Sequence, residues 1–281
     1  AGPVRPHAAR GRAGEPRGMK GDIQMAKLRS LLAAAIAAAG LGLAPVPANA
    51  AETPAPPEHT WQFEGVFGTF DRAAVQRGLQ VYNAVCSTCH GMKYVHFRNL
   101  EDIGYNDDEV EAIAAQYTVE DGPNDQGEMY ERPAEPTDAF PFPYDNKQAA
   151  KNANNGAVPP DLSVITNARP GGPEYIRAVL LGYEEAPEAA NLQPGQYWNK
   201  YYPSHKISMP QMLVDGAVDY QDGTQATPEQ MAHDVTAFLH WASNPHMEER
   251  KRLGLKVILF LIVLTAMLYA VQRKIWADVE K

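Results

Sequence analysis

The stretch Cys86-Ser87-Thr88-Cys89-His90 is the strongest signal in the sequence and decides how the rest of the chain is interpreted. Thiols at positions i and i+3 project from one helical turn, where both can add to the two vinyl groups of a haem and form thioethers. The adjoining His90 then lies where its Nε2 can reach the iron. No other cysteine occurs among the 281 residues, and a disulfide closing so short a loop would stabilise almost nothing. The pentad therefore predicts one covalently bound haem c.

Zinc binding and dithiol redox chemistry are the alternative uses of this cysteine pair. A zinc site needs further Cys or His ligands at compatible spacing, and the sequence has no second pair. A thioredoxin-like dithiol is expected in a βαβ context, which the pattern around the pentad does not indicate. Both alternatives are weaker than haem attachment.

The second axial ligand of such a haem decides between electron transfer and ligand chemistry. The candidates downstream of the pentad are Met129, Met209, Met212, Met231, Met247, His96, His205, His233, His240 and His246. Met209 precedes Pro210 in a loop away from the predicted helix stripes, so its thioether can face the iron without disturbing a core. Met212, three residues further on, is its main rival. A neutral sulfur opposite His90 raises the reduction potential, which suits an electron carrier.

A proline-rich loop supplies a candidate hydrogen-bond partner for the histidine. Asn154-Asn155-Gly156 and Pro159-Pro160-Asp161 predict a stiff loop, because Gly and Asn tolerate positive φ and proline restricts the backbone. The carbonyl of Pro160 is suited to accept a hydrogen bond from His90 Nδ1, which would fix the ring as partners of metal-bound histidines do. A stiff loop without that role is an equal alternative.

Helical periodicity and capping residues predict a mainly α domain with long loops. We expect four helices, over about 72–85 after Asp71, from Asn106 to 117, over 173–181 and over 228–243. Thr227 and Gln230 predict a capping box at the start of the last of these helices. Residues 120–146 contain several Pro and Gly and little periodicity, which predicts a long surface insertion.

The charge of the chain is concentrated between residues 51 and 249. Formal net charge is −9, but this segment alone carries thirty acidic and eleven basic residues, a net charge of −19. A nucleic-acid partner is not expected, because phosphate backbones require clustered Lys and Arg. A docking face for a cationic protein is one interpretation of the acidic segment, and an ordinary solvated surface is the other.

The N-terminal residues predict export. Met25 opens a segment with Lys27 and Arg29, an apolar run and then Ala48-Asn49-Ala50, which is typical of a signal peptide over 25–50. Residues 1–24 are an Arg-rich extension, either upstream sequence translated in error or the first half of a two-part organelle presequence. The predicted exported domain covers residues 51–249. The small-residue cleavage site favours a bacterial inner membrane with this domain in the periplasm; a mitochondrial inner membrane, on the intermembrane-space side, is the alternative.

A C-terminal segment predicts a single membrane anchor over 250–274, followed by a short tail, 275–281. The run from Val257 to Val271 carries no charge, and Arg250-Lys251-Arg252 and Arg273-Lys274 flank it as headgroup contacts would. Tyr269 and Trp276 fit an aromatic belt at one interface. A buried core helix is the alternative interpretation.

These motifs together resemble the cytochrome c1 family over residues 59–277. The resemblance rests on Trp61, on Arg77-Gly78-Leu79-Gln80-Val81-Tyr82 before the pentad, on Ala153-Asn154-Asn155-Gly156-Ala157-Val158-Pro159-Pro160-Asp161-Leu162-Ser163, on Leu180-Leu181-Gly182-Tyr183, on Tyr220-Gln221-Asp222-Gly223-Thr224 and on Arg250-Lys251-Arg252-Leu253-Gly254-Leu255-Lys256. Every c-type cytochrome shares the pentad, whereas the Asn-Asn-Gly run and the basic entry to the anchor are much more specific.

The resemblance implies a class I cytochrome c-like haem domain held by one transmembrane helix. It implies that Cys86 and Cys89 bind the haem and that His90 and Met209 are its axial ligands. Electrons would arrive from a Rieske iron-sulfur protein and leave to a soluble cytochrome c, with the anchor beside cytochrome b in a bc1 complex (ubiquinol:cytochrome c reductase). The chain would then be an electron-carrier subunit without catalysis of its own.

Two departures from the family pattern and two rival functions remain. Relatives often carry Arg just before the Asn-Asn-Gly run, where this chain has Lys151, whose ammonium cannot pair bidentately with a haem propionate. Some relatives have a cysteine after Gly182-Tyr183, where this chain has Glu184.

The first rival function is that of a tethered cytochrome c that feeds a terminal oxidase or photosynthetic centre directly. The second is a haem enzyme with an open iron.

Overall fold

The computed structural model describes residues 53–279, and the predicted extension 1–24 and signal peptide 25–50 lie outside them. The described chain is mainly helical, as the sequence predicts. Its helices are α1 (Arg72–Val81), α2 (Asp107–Ala114), α3 (Lys147–Ala153), α4 (Ile165–Ala168), α5 (Gly172–Leu181), α6 (Pro228–Ser243) and α7 (Met247–Ile275). Its strands are β1 (Met92–His96), β2 (Thr118–Asp121), β3 (Tyr130–Pro133), β4 (Ala139–Phe140), β5 (Tyr197–Trp198) and β6 (Lys206–Ile207).

Helices α1 and α6 pack against each other at the centre of the domain. Asp71 caps α1, because its Oδ1 accepts hydrogen bonds from the amides of Ala73 at 3.0 Å and Ala74 at 3.3 Å. The contact between the helices is closest at Gly78, where a Cβ would overlap the carbonyl oxygen of Asp234 and lie 2.6 Å from Phe238 Cβ. The predicted apolar stripes of both helices are buried there.

A buried ion pair joins the same two helices. Arg77 donates from Nε to Asp234 Oδ2 at 2.9 Å and from Nη2 to Asp234 Oδ1 at 3.1 Å. Asp234 is fully buried, and its carboxylate raises the pKa of Arg77. Gln230 also donates to both carboxylate oxygens, at 3.0 Å. The pair therefore satisfies a charge that burial alone would make costly.

The capping box predicted at the start of α6 forms only in part. Thr227 Oγ1 accepts a hydrogen bond from the Gln230 amide at 3.2 Å, which is one half of the motif. The Gln230 side chain, however, donates to Asp234 and does not return to the Thr227 amide. The Thr227 amide donates to the Gln225 carbonyl instead, at 3.0 Å. The buried Asp234 carboxylate thus accepts the hydrogen bonds of the Gln230 side chain, which the complete capping box would have needed.

Residues 120–146 have more regular structure than the sequence predicts. Strands β2 and β3 form an antiparallel hairpin, and β4 pairs with β1 directly after the pentad. Arg132 holds the insertion together by donating to Asp121 at 2.5 Å and to Asp138 at 2.6 Å. Phe140 is buried 4.2 Å from the ring of Phe97. Buried aromatic contacts and a network of ion pairs hold this segment in place. Neither produces a periodic pattern in the sequence from which the strands could be predicted.

Helix α7 is long and apolar enough to cross a membrane, and none of its most apolar stretch is buried within the described chain. It begins at Met247, three residues before the predicted anchor, and ends at Ile275. Its first turns belong to the domain, because Met247 is buried and Glu248 accepts hydrogen bonds from Phe70 N and Arg72 Nη2. The exposed apolar length supports the interpretation of α7 as a membrane anchor and not as a core helix.

Candidate haem site

The pentad follows α1 on a widened helical turn. The α-helix becomes a π-helix over Tyr82–Cys86, in which the Ser87 amide donates to the Tyr82 carbonyl at 2.8 Å. The His90 amide then donates to the Cys86 carbonyl at 2.9 Å. The buried Tyr82 closes the turn, because its hydroxyl donates to the His90 carbonyl at 2.8 Å. The Tyr82 side chain thus links the start of the widened turn to the end of the pentad.

Both cysteines are free, half-buried thiols three positions apart on this turn. Burial raises the pKa of Cys86 to about 12, and Cys89 adds to the shift. A thiol protonated at neutral pH is a poor zinc ligand, because zinc binds the thiolate. Within residues 53–279, no group of three or more His, Cys, Asp and Glu side chains is arranged to hold a metal ion. Two reduced thiols three positions apart beside His90 fit thioether attachment, and the described residues supply no further ligands for a closed zinc site.

His90 is held by the carbonyl that the sequence analysis considers for it. His90 Nδ1 lies 2.7 Å from the Pro160 oxygen. Because a carbonyl oxygen can only accept, Nδ1 carries the proton and the lone pair is on Nε2. Burial lowers the pKa of His90, against smaller opposite effects of this hydrogen bond and of Asp161, and so favours the neutral ring. A neutral imidazole with a free Nε2 fits an iron ligand.

The loop that carries Pro160 is attached to the residues just after His90. Asp161 accepts hydrogen bonds from the Lys93 amide at 2.9 Å and from the Ser163 amide at 3.0 Å. Ser163 Oγ accepts from the Tyr94 amide at 3.1 Å, and the Leu162 amide donates to the Gly91 carbonyl at 3.0 Å. The Asp161 side chain therefore fixes the loop to β1, a role that the sequence did not indicate.

Met209 lies in the loop after β6, as the sequence predicts, far along the chain from the pentad. The Tyr183 hydroxyl donates to the Met209 carbonyl at 2.9 Å, and burial raises the pKa of Tyr183, which keeps this donor protonated. Tyr183 follows α5 and bridges to Asn199, beside β5. The buried Asn199 donates to the Val179 carbonyl of α5 at 2.7 Å. These contacts give the Met209 loop a fixed support that the sequence did not indicate.

The other candidate ligands have different surroundings. Met231 and Met247 are buried in the core, whereas Met212 is 41% exposed and Met129 is 53% exposed. His205 stacks on Trp198, with ring centroids 4.7 Å apart. His233 and His240 pack in an aromatic cluster with Trp61 and Phe63, His96 is half-buried at the end of β1, and His246 is exposed. Among the methionines of residues 53–279, Met209 alone combines a loop position, partial burial and a backbone carbonyl that accepts a side-chain hydrogen bond.

The two departures from the family pattern lie at the surface. Lys151 is exposed in the last turn of α3. Glu184 pairs with Lys200, 3.4 Å away, where some relatives would have a cysteine.

A cavity of about 570 Å³ lies between α1, α2 and residues 217–221, and none of the predicted site residues lines it. It is therefore separate from the candidate haem site.

The sequence matches proteins of one family over most of its length. The Cytochrome C1 family model matches residues 61–279. The chain is 47% identical to the cytochrome c1 of Rhodospirillum rubrum, covering 78% of this chain and 87% of that protein. It is 46% identical to a mitochondrial cytochrome c1 heme protein of Arabidopsis thaliana, covering 80% and 73%.

A further relative is longer than this chain. The chain is 49% identical to the cytochrome b/c1 of Bradyrhizobium diazoefficiens over 79% of its own length, and it spans 36% of that protein. The family match covers the pentad, the Pro160 loop, the Met209 loop and α7 together. The chain belongs to the cytochrome c1 family.

Proposed function

We propose that the chain is the haem-bearing electron-transfer subunit of a cytochrome bc1 complex. The observation that carries the proposal is the contact between His90 Nδ1 and the Pro160 carbonyl beside two free thiols, because it leaves Nε2 free for the iron. A bound haem c would supply a one-electron couple between ferric and ferrous iron. Family membership and the heme proteins among the relatives support the same cofactor.

The side chains of the site have separate roles in this proposal. Cys86 and Cys89 would hold the haem through thioethers, and His90 and Met209 would be the two protein ligands of its iron. Pro160 orients the imidazole of His90 and raises its basicity. Two protein ligands would leave no iron position for a substrate. The chain is then a carrier within a larger enzyme and has no catalysis of its own.

The proposed partners follow from the family and from the charge. The name of the Bradyrhizobium relative combines b and c1, which supports cytochrome b as the neighbour of α7. A Rieske iron-sulfur protein would supply the electrons, and a soluble cytochrome c would accept them. The net charge of −19 over residues 51–249 favours a cationic acceptor. No nucleic-acid partner is proposed.

The proposed location is a bacterial inner membrane crossed once by α7. The signal peptide predicted over 25–50 would carry the domain 51–249 into the periplasm and leave the tail 275–281 on the other side. A mitochondrial inner membrane, with the domain in the intermembrane space, is the alternative. Relatives from both bacteria and mitochondria support either compartment.

Purification of the chain from native membranes in mild detergent tests the proposal. We expect a pigment that acid-acetone does not extract, together with cytochrome b and a Rieske protein among the copurifying chains. A red chain without cytochrome b would favour the tethered cytochrome c that serves an oxidase directly. Prompt carbon monoxide binding by the reduced protein would favour the enzyme with an open iron.

A further inference from the structure

Two large apolar side chains stand exposed on the loop between Phe63 and Phe70. Val66 is 65% exposed and Phe67 is 81% exposed, whereas Phe63 and Phe70 on either side are buried. Single exposed apolar residues are normal on a soluble surface, so exposure alone identifies no site. The position of this pair relative to α7 is what distinguishes it.

The loop is a tightly closed turn. Gly65 has a positive φ of 71°, a conformation in which a side chain would be strained. A Cβ at Gly68 would overlap the carbonyl oxygen of Glu64 on the other side of the turn. Two glycines thus close the base of the loop, and Val66 and Phe67 project from its tip.

The base of the loop is fixed to the anchor helix. Lys251 Nζ donates to the carbonyls of Phe63 at 2.6 Å and Gly68 at 2.9 Å, which lie on the two sides of the turn. One residue of α7 therefore determines where the tip emerges.

The tip lies beside the part of α7 that enters the membrane. Val66 and Phe67 line a cavity of about 290 Å³ whose opposite wall includes Lys251, Arg252 and Leu255. At about 1.5 Å of rise per residue, Leu255 is about 3 Å from the first residue of the charge-free run. The interfacial layer of a bilayer is about 5–7 Å thick on each side, so the tip lies at its depth.

We propose that Val66 and Phe67 insert into the interfacial layer of the membrane that α7 crosses, with phospholipid filling the cavity between the loop and the helix. The exposed Arg252 on the cavity wall suits the phosphate of that lipid. The loop and α7 then form two points of membrane attachment, which fix the tilt of the domain. A lipid occupant is favoured over a protein because the apolar tip meets the exposed apolar surface of α7 at Leu255, next to the charge-free run.

Spin labelling of the full-length haem-loaded protein in vesicles of phosphatidylcholine and phosphatidylglycerol tests this proposal. A nitroxide on Phe67→Cys reports depth by collision with oxygen, which concentrates in lipid, and with a nickel chelate, which stays in water. Met129→Cys, on the exposed β2–β3 loop, is the control for a site in water. We expect the label at 67 to favour oxygen and the label at 129 to favour nickel.

Equal nickel access at positions 67 and 129 would refute insertion, and shielding of position 67 from both reagents would show a protein contact instead. A second experiment places the label beside the tip, at Thr69→Cys, and compares tips with and without a charge. Protection of this label from nickel is expected to be lost with Phe67→Asp and kept with Phe67→Leu. Labelling of the unsubstituted protein would show that Cys86 and Cys89 are free thiols. That result would contradict the haem attachment and not the insertion.

Discussion

His90 Nδ1 and the carbonyl oxygen of Pro160 lie 2.7 Å apart although seventy residues separate them in the chain. The bond makes the basicity of the imidazole depend on a loop, and the loop depends on Asp161, which accepts two backbone hydrogen bonds. The electronic properties of the site are therefore sensitive to a residue that is not itself a ligand.

Asp161→Ala tests this dependence. Loss of its two hydrogen bonds is expected to lower the free energy of unfolding by about 1–3 kcal/mol. It should also raise the reduction potential, because a less basic His90 stabilises ferric iron less. Redox titration and denaturant unfolding measure the two effects. Asp145→Ala, which removes an exposed carboxylate, is the control and should change neither quantity.

Met209→Leu tests the second axial ligand. We expect the haem to stay attached, the reduction potential to fall and the reduced iron to bind carbon monoxide, because leucine supplies no donor atom. The matched variant Met212→Leu should keep the parent potential and exclude carbon monoxide. Redox titration and carbon monoxide difference spectra distinguish them, and the opposite result would assign the ligand to Met212.

The two carboxylate partners of Arg77 should differ greatly in their contribution to stability. Asp234→Ala leaves the guanidinium without its buried partner and is expected to cost about 3–5 kcal/mol. Asp222→Ala removes an exposed partner of the same arginine and should cost much less, because solvent screens that ion pair. Urea unfolding in detergent measures both variants, and equal losses would show that burial does not govern the pair.

The histidines of the aromatic cluster should make the domain less stable in acid. Burial lowers the pKa values of His59 and His233, and it lowers the pKa of His240 to about 4. Between about pH 6.5 and 4 the unfolded chain therefore binds more protons than the folded chain, and the free energy of unfolding falls as the pH falls. His240→Gln should flatten this dependence and the exposed His246→Gln should not, as unfolding curves at several pH values would measure.

Association with a cationic cytochrome c should slow as salt is added. The net charge of −19 on residues 51–249 attracts a positive partner over a range that shrinks with the Debye length, about 8 Å at physiological ionic strength. Stopped-flow measurement of the bimolecular electron-transfer rate against sodium chloride concentration checks this. A rate independent of salt would leave the acidic surface as an ordinary solvated one.

The helices with strong local signals could be predicted from the sequence. Asp71, Asn106 and Thr227 all cap helices in the structure, since a cap depends on residues within one turn of it. The second helix nevertheless ends at Ala114, before the predicted Tyr117. The short helices α3 and α4 were missed, because helices of seven and four residues are too short for a periodic signal.

The parts that could not be predicted depend on contacts between distant residues. Strand β4 forms because Phe140 packs on Phe97, and no alternating pattern in the sequence predicts this strand. For the site, the thiols and the histidine are apparent from spacing alone. The support of Pro160 by Asp161, and of Met209 by Tyr183, requires the fold, because these supports combine side chains with distant backbone groups.

The attachment of Lys251 to the Phe63 and Gly68 carbonyls has a consequence for motion. Glu248 also accepts hydrogen bonds from Phe70 and Arg72, so the first turns of α7 are fixed to the domain and form no flexible hinge. The domain therefore cannot swing about α7 to accept or donate electrons. Whatever exchanges electrons with this protein has to travel to it.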